Sequence, residues 1–346
     1  MSKNRKQKRA VAIATIIIAI LLVLGVVVYV VINKPATEDV DTAHEEPATE
    51  QENKNEKDEP SQQSDVTYED VIAGTGPLSF KYYYDNVYDE DENYYEGNLF
   101  SGLESKEYTL PDLVKAFNEI FNDTERYYGD EGVTYVGYSY LDCGNDGNKE
   151  LALMFICPVV EPNSTLEMIL KEMDGQIQVV YTFCTWSRSE TRINKFGVIS
   201  GGGSGGATLH GWDRHIINAD GIFVFGYSAE EQSDIEQFAS SQGIDATETY
   251  NFDDVVCVYS MRTKPYTSGD YEPEYYAYEV YKDYEEELNN PNLYTDSEYQ
   301  RFMDKFDISF LTMDEFNKLE EKRLAEIGVT EEMKSAPDIE FTELKF

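Results

Sequence analysis

The β-sheet architecture of this chain is most apparent at residues 166–184, which read LEMILKEMDGQIQVVYTFC. Two β-prone runs, 166–173 and 176–184, flank the dipeptide Asp174-Gly175. Asp-Gly between two such runs is the strongest short-range hairpin signal, because both positions tolerate the positive φ angles of a tight turn. The segment therefore predicts two antiparallel strands.

The same signals recur on both sides of this hairpin. Further β-prone runs lie at 151–157, 215–217, 222–225, 252–261 and 275–281. Asp220-Gly221 joins two of them, as Asp174-Gly175 does in the first hairpin. Strands that follow one another through short turns favour an antiparallel β-meander or a curved sheet.

Three helices are predicted outside these strands, at 109–121, 296–306 and 312–328. In the first, apolar side chains recur at helical spacing behind Pro111, which a first turn tolerates. In the third, Thr312 and Glu315 form a capping box, and Gly328 provides the stop. Helices packed against such a sheet give an α+β fold class.

Residues 11–32 form an uncharged run of 22 residues. A helix that rises about 1.5 Å per residue needs roughly 20 apolar residues to cross a hydrocarbon core of about 30 Å. Five bases and no acid precede the run, and Lys34 is followed by a long acidic stretch. This asymmetry predicts a transmembrane helix with a cytoplasmic N-terminus and an extracellular C-terminal domain.

A cleaved signal peptide is the competing interpretation of this segment. Its apolar region would span only about 7–15 residues and would end at a small-residue cleavage site. The run here is longer, and residues 31–35 read VINKP. A lipoprotein signal is also disfavoured, because the first cysteine is Cys143. The sequence therefore predicts an uncleaved signal anchor in the cell membrane.

The predicted organisation has four parts. They are a basic cytoplasmic tail at 1–10, a signal anchor at 11–32, a disordered acidic linker at 33–66 and a globular domain at 67–346, which is β-rich at 133–284 and helical at 296–330. The linker holds almost no large apolar groups, so it cannot offset its conformational entropy by burial.

Charge narrows the range of partners. Five of the 28 bases precede the anchor and none of the 67 acids does. The part of the chain after the anchor, the outer part, therefore carries 23 bases and 67 acids. Such a surface repels phosphate backbones, which excludes nucleic acid as a partner. The membrane is contacted through the N-terminal helix, and the charge favours calcium or cationic partners.

The most specific local motif is YLDCGNDGNKELAL at residues 140–153. It resembles the short calcium loops of FG-GAP and related repeats, in which D-x-[DN]-x-D-G-x-x-[DE]-[LIV] leads directly into a strand. The resemblance implies that Asp142, Asp146 and Glu150 donate carboxylates and that Asn148 donates its backbone carbonyl. Oxygen donors at such spacing suit calcium. Gly144 stands at the second ligand position, where it offers no side-chain oxygen.

Two interpretations of this loop remain open. One is a calcium site, which makes calcium the predicted cofactor. The other is a β-bulge or tight turn that Asp and Asn side chains stabilise without a metal.

The wider stretch at 138–261 also resembles uncharacterised membrane-anchored extracellular proteins of Gram-positive gut bacteria. The resemblance lies in its Asp-Cys-Gly-x-Asp-Gly strand start, its Gly-Ser-Gly-Gly-Ala segment and its Asp-Gly hairpin. That resemblance implies a location and a fold style, and no activity.

The glycine cluster at residues 201–206 fits both G-x-G-x-x-G and G-x-S-x-G. Each motif needs a helix directly after it, and no helical stripe follows Gly206. We therefore expect a flexible hairpin loop or a close approach of the backbone to a ligand.

Two histidines near this cluster, His210 and His215 with Asp213 between them, invite a zinc hypothesis. Residues five apart on a strand face opposite sides of a sheet, which prevents shared coordination. A hydrogen-bonded loop histidine is therefore predicted for this segment.

The four cysteines are Cys143, Cys157, Cys184 and Cys257. Outside the membrane they allow two disulfides in any of three connectivities. Buried free thiols are the alternative, because three of the four lie in apolar strand contexts.

Tyrosines, 27 in all, concentrate near residues 82–95 and 271–284. Strand alternation in the second cluster places Tyr276, Tyr278 and Val280 on one face and Tyr275, Ala277, Glu279 and Tyr281 on the other. Tyrosine rings suit glycans and protein partners, or simply the faces of amphipathic strands.

The predicted function is a surface-displayed binding or sensory module, without catalysis, for an extracellular protein or glycan ligand. The alternative is an extracellular hydrolase that would use Asp142, Asp146 and His210.

Overall fold

A computed structural model describes the part of the chain that the sequence predicts to be globular. The described residues are 66–87, 99–100, 102–103, 106–122, 131–245, 252–265, 272–282 and 286–345. The predicted cytoplasmic tail, the anchor at 11–32 and nearly all of the linker at 33–66 lie outside them. Within the described residues, no helix is both long enough and apolar enough to cross a membrane.

Fifteen strands form among the described residues. They are β1 Leu78–Ser79, β2 Glu107–Tyr108, β3 Tyr135–Leu141, β4 Glu150–Cys157, β5 Ser164–Met173, β6 Gln176–Thr185, β7 Ser189–Ile193, β8 Val198–Ser204, β9 Leu209–Ile217, β10 Phe223–Gln232, β11 Val255–Arg262, β12 Tyr275–Lys282, β13 Glu286–Glu287, β14 Phe310–Leu311 and β15 Thr342–Glu343. The predicted hairpin at Asp174-Gly175 is confirmed: it joins β5 to β6, and both of its residues have positive φ.

Seven helices accompany these strands in the same part of the chain. They are α1 Tyr68–Ile72, α2 Lys81–Asn86, α3 Leu110–Phe121, α4 Ile235–Ser241, α5 Glu298–Met303, α6 Met313–Glu326 and α7 Glu331–Lys334. The predicted helices correspond to α3, α5 and α6. The capping box of Thr312 and Glu315 is present at the start of α6, as expected. Helix α5 is shorter than predicted because residues 304–306 continue only as turns after Met303.

The strands form two sheets, where the sequence predicted a single meander or curved sheet. The first sheet has the order β15-β3-β4-β5-β6-β1-β2, and the second has the order β13-β12-β11-β10-β9-β8-β7, with β14 beside β12. The pairs β1–β6 and β12–β14 are parallel, and the other pairs are antiparallel. The predicted α+β class holds at this coarser level, as a mostly β structure with a few packed helices.

Each sheet has apolar contacts on both faces. Helix α3 covers one face of the first sheet, where Phe117 packs edge-on against Phe155 at 5.5 Å. The opposite face packs on the second sheet through residues such as Ile169 and Ile217, both fully buried. These contacts make the region between the two sheets part of the core.

The second sheet is enclosed in the same way. Helix α6 covers one face, and its fully buried Phe316 packs against Tyr259 with ring centroids 6.2 Å apart. Helices α4 and α5 cover the other face, where Tyr278 and Phe302 are buried. The predicted division of β12 into two faces is confirmed, and both faces are covered.

The glycines at 201–203 lie within β8, so the predicted hairpin loop at this point was wrong. A Cβ atom on Gly201 would lie 2.6 Å from both carboxylate oxygens of Asp213. The missing side chain therefore makes room for Asp213 on the neighbouring strand β9. The turn itself follows Ser204, and the next element is a strand and no helix, as the sequence indicated.

Candidate functional site

The predicted calcium loop connects β3 to β4 and docks on the second sheet. The Asp142 and Gly144 backbone N–H groups donate to the carbonyls of Lys195 and Phe196, at 2.8 and 3.1 Å. Gly144 has a φ of 77°, and a Cβ there would lie 2.5 Å from the Ala219 nitrogen. The position that lacks a ligand side chain in the motif is therefore a close contact between the two sheets.

Hydrogen bonds within the loop hold two of the predicted ligands. The Asp142 carboxylate accepts from the backbone N–H groups of Asp146 at 2.8 Å and Gly147 at 3.1 Å. The Asp146 carboxylate accepts from the Asn148 backbone N–H at 2.8 Å and from its side-chain amide at 2.9 Å. These bonds from Asn148 lower the pKa of Asp146, and the Lys171 charge acts in the same direction. The loop thus brings Asp142, Asp146 and Asn148 together.

The fourth predicted ligand, Glu150, points into the protein. Its side chain is 1% exposed, and one carboxylate oxygen accepts from the Cys143 backbone N–H at 2.8 Å. The other oxygen lies 2.5 Å from the Lys171 ammonium, which reaches it from β5. Burial raises the pKa of the Cys143 thiol, and the negative charge of Glu150 raises it further. The Lys171 ammonium thus places a positive charge at the base of the loop, beside the Glu150 carboxylate.

The donor set fits calcium only in part. An ionised carboxylate has about four lone-pair sites, so Asp142 and Asp146 keep acceptor capacity beyond their present bonds. Both Glu150 oxygens are engaged, and a calcium ion there would compete with the Lys171 ammonium. Across the described ranges, no group of three or more His, Cys, Asp or Glu side chains is arranged to hold a metal. Calcium binding stays a prediction, carried by Asp142, Asp146 and the Asn148 carbonyl.

The two histidines of the zinc hypothesis occupy opposite faces of β9, as predicted. His210 is exposed, whereas His215 is buried. His215 Nδ1 accepts from the Gly226 backbone N–H at 3.2 Å, and its Nε2 lies 3.2 Å from an Asp213 oxygen. His215 is hydrogen-bonded as expected, although it lies in a strand and not in a loop.

The residues of the hydrolase alternative do not meet. Asp142 and Asp146 lie beside the Ile217 end of β9, because their loop contacts the turn that follows it. His210 lies at the other end of that strand, seven residues from Ile217, which corresponds to about 23 Å at about 3.3 Å per residue. No shared site forms from these three side chains.

The four cysteines, all within the described residues, are buried, and none forms a disulfide with another. Of the two predicted alternatives, the structure shows buried thiols. Burial raises the pKa of the Cys257 thiol to about 12, with a contribution from the nearby Glu231. Burial also raises the pKa of the Cys143 and Cys157 thiols, so these three thiols are protonated at neutral pH.

One polar cluster on β11 and β12 was not identified from the sequence. The hydroxyls of Tyr259 and Tyr281 lie 3.2 and 2.5 Å from the same Glu279 oxygen. Burial raises the pKa of both tyrosines, that of Tyr281 to about 12, so both remain hydrogen-bond donors at neutral pH. The alternation along 275–281 predicted that Glu279 and Tyr281 share a face. Their partner on β11 could be found only from the strand pairing.

An open cleft beside α4 was also missed. It lies between this helix and the strands around β10, has a volume of about 250 Å³, and has Gln237 and Tyr276 among its lining residues. The sequence carried a signal for the helix, because Asp234 precedes Gln237 by three residues in the manner of a capping box. The Asp234 carboxylate accepts from the Gln237 backbone N–H at 3.0 Å.

No protein-family model, curated protein or solved structure matches this chain. No relative therefore indicates a function for this fold or for the loop. The features that indicate one are the charge of the chain, its N-terminal segment and the side chains that its two sheets present.

Proposed function

We propose that this chain is a binding or sensory module that an uncleaved N-terminal anchor displays on the outer side of a cell membrane. The observation that carries the proposal is the 22-residue uncharged run at 11–32, with five bases before it and an acidic chain after it. Such a run is long enough to span a bilayer, and cations mark the cytoplasmic end of a membrane helix.

The linker at 33–66 supports this arrangement. It is rich in Pro, Glu, Gln and Asn and lacks an apolar periodicity. Its charges repel one another, so it would act as an extended spacer between the bilayer and the folded part. Binding surfaces on the two sheets would then stand clear of the membrane.

The acidity of the outer part defines the partner class. With 67 acids in the chain and none before the anchor, the folded part repels anionic polymers. An extracellular protein or an uncharged glycan is the partner that fits this charge. Calcium bound at Asp142 and Asp146 would lower the repulsion within the loop and stabilise its contact with the second sheet.

Membrane fractionation of cells that express the full chain tests the anchor. We expect the chain to stay in the membrane pellet through alkaline carbonate extraction, because an inserted helix resists it. Deletion of residues 11–32 should move the chain to the soluble fraction. Deletion of 36–60 within the linker is the matched control and should leave it in the pellet. Recovery of the native chain in the growth medium would instead show a cleaved signal peptide and contradict the proposal.

A further inference from the structure

We infer that the cleft beside α4 binds an uncharged sugar. The inference rests on the proposed function, since it names the ligand class of the displayed module. The cleft is about 250 Å³ in volume and lies between α4 and the strands β9 to β12. Pockets for drug-sized ligands span about 300–1,000 Å³, so this cleft suits a smaller group, such as one sugar residue.

Helix α4 and the residue that follows it supply three polar side chains to the cleft. Gln237, Ser241 and Gln242 all line it and are exposed. The Ser241 hydroxyl already donates to the Phe238 carbonyl at 2.7 Å and keeps only acceptor capacity for a ligand. The side-chain amide of Gln237 makes no hydrogen bond with any residue that the structure describes, and the amide of Gln242 reaches only Ser241, at 3.4 Å. An amide offers both donors and an acceptor, which is what a hydroxyl group needs in a partner.

The strands supply a second set of hydrogen-bonding groups opposite the helix. Gln232, Ser260 and Glu230 line the cleft from β10 and β11. Gln232 uses its amide oxygen to accept from the Asp234 backbone N–H at 3.0 Å, which leaves its NH₂ group for a ligand. Within the described residues, the Ser260 hydroxyl and the Glu230 carboxylate have no hydrogen-bond partner. Donors and acceptors therefore face the same space from two sides.

An aromatic wall completes the cleft. The Tyr276 ring lies 6.3 Å from the Phe238 ring and 6.2 Å from the Phe310 ring, so neighbours on two sides hold it in place. Tyrosine offers a large rigid apolar face with a polar tip. The C–H groups on one face of a sugar ring would pack on this wall, while the sugar hydroxyls meet the amides.

The negative charge of the residues that line the cleft disfavours anionic ligands. The residues that line the cleft include Glu230 and Glu272 and no lysine or arginine, within the part of the chain that is described. Phosphorylated, sulfated and carboxylated ligands are therefore repelled. The many polar groups also disfavour a purely apolar ligand, because burying them without partners costs free energy. A neutral polyhydroxylated ligand satisfies both conditions.

Saturation-transfer NMR on the full chain tests this inference. The chain is held in a zwitterionic detergent without a sugar head group, and the probes are maltotriose, cellotriose, xylotriose and triacetylchitotriose. We expect at least one of these trioses to bind and anionic 3′-sialyllactose not to bind. Glucose and N-acetylglucosamine form a second arm: binding of a monosaccharide indicates a free sugar ligand, whereas binding of trioses only indicates one residue of a chain.

Matched variants locate the binding. The double variant Gln237→Ala/Gln242→Ala removes two amides that would bond to sugar hydroxyls, so the affinity should fall by about fivefold or more. Ser240→Ala is the control, because Ser240 is exposed on the same helix and does not line the cleft. Lack of binding by every neutral probe at millimolar concentration would overturn the inference, and so would equal affinity of the double variant. If the chain still fractionates with the membrane, either result leaves the proposed display intact.

Discussion

The Glu150–Lys171 pair shows how a single buried contact can hold the loop. Glu150 is 1% exposed and Lys171 is 18% exposed, and 2.5 Å separates their charged atoms. Glu150 also accepts the Cys143 backbone N–H, so the same carboxylate ties β5 to the start of the loop. Removing one charge of such a pair leaves the other buried without a partner, which is costly.

Lys171→Met should therefore lower the free energy of unfolding by about 3 kcal/mol, in the range seen when one partner of a buried pair is removed. The double variant Glu150→Gln/Lys171→Met should recover a large part of this loss, because no unpaired charge remains. Urea unfolding followed by tryptophan fluorescence measures both variants. Equal stability of Lys171→Met and the native chain would show that the pair contributes nothing.

Calcium gives a second test at the same loop. Binding to the native state alone stabilises a protein by about 2.7 kcal/mol at a hundredfold excess over the dissociation constant. Millimolar calcium should therefore raise the melting temperature of the full chain relative to EDTA, and Asp146→Asn should abolish the shift. Asp307→Asn, at an exposed position outside the loop and outside the turns that it contacts, is the control and should keep the shift. A melting curve that calcium leaves unchanged would make the loop a turn held by its own Asp and Asn side chains.

The buried carboxyl of Glu167 should make the free energy of unfolding depend on pH. Glu167 is buried on β5, and this burial raises the pKa of its carboxyl to about 8, with a further contribution from Asp338. The raised pKa means that the folded state favours the neutral acid. The contribution of this carboxyl to the free energy of unfolding is complete below its unfolded pKa of about 4.3. As the pH rises from there toward 8, the free energy of unfolding falls by about 1.4 kcal/mol per pH unit.

The variant Glu167→Gln stays neutral at every pH. We expect it to match the native chain near pH 4 and to be more stable than the native chain at pH 8 and above. Urea midpoints at both pH values measure the difference. A variant that is less stable than the native chain at pH 8 would show that the charged carboxylate is stabilised in the fold.

Helix α6 illustrates an element whose position depends on a few contacts with the second sheet. Arg323 donates to the carbonyls of Phe225 and Gly226, at 2.8 and 2.9 Å, where the register of β10 shifts. Trp212 donates its indole N–H to Glu320 at 2.9 Å. These bonds orient the helix, while the buried side chains of Phe316 and Leu324 supply apolar contact.

Phe316→Ala should lower the free energy of unfolding by about 3–5 kcal/mol, because it leaves a cavity against Tyr259. Lys318→Ala, exposed on the same helix, is the control and should change stability by no more than about 0.5 kcal/mol. Denaturant unfolding with tryptophan detection measures both variants, since Trp212 contacts the helix directly. Equal losses in the two variants would contradict the packing described for α6.

Elements with a local signal could be predicted, and elements without one could not. An apolar stripe behind Pro111 located α3, a capping box and a following glycine located α6, and the two Asp-Gly turns located their hairpins. Strand β8 was missed because three consecutive glycines have low β-propensity, and the reason for Gly201, the Asp213 carboxylate, lies on another strand. Likewise, nothing near Glu150 in the sequence indicates Lys171 as its partner.

The arrangement of the whole folded part depends on contacts between distant residues. The loop at 142–144 bonds to the turn after β7, and the C-terminal segment bonds to Ile193 before it pairs with β3 as β15. Local patterns located seven of the fifteen described strands and did not show the division into two sheets, because strand pairing is set by such long-range contacts. The sequence therefore predicted the class and many elements, and could not predict the cleft beside α4.

Display on the outer side of the membrane can be tested with a membrane-impermeant maleimide on intact cells. The native chain provides a low background, because its four thiols are 0–5% exposed. Ser240→Cys places a thiol on the exposed surface of α4, and Ser2→Cys places one in the basic tail. We predict labelling of Ser240→Cys in intact cells and of Ser2→Cys only after lysis. Labelling of Ser2→Cys in intact cells, with Ser240→Cys protected, would reverse the topology and contradict the proposed display.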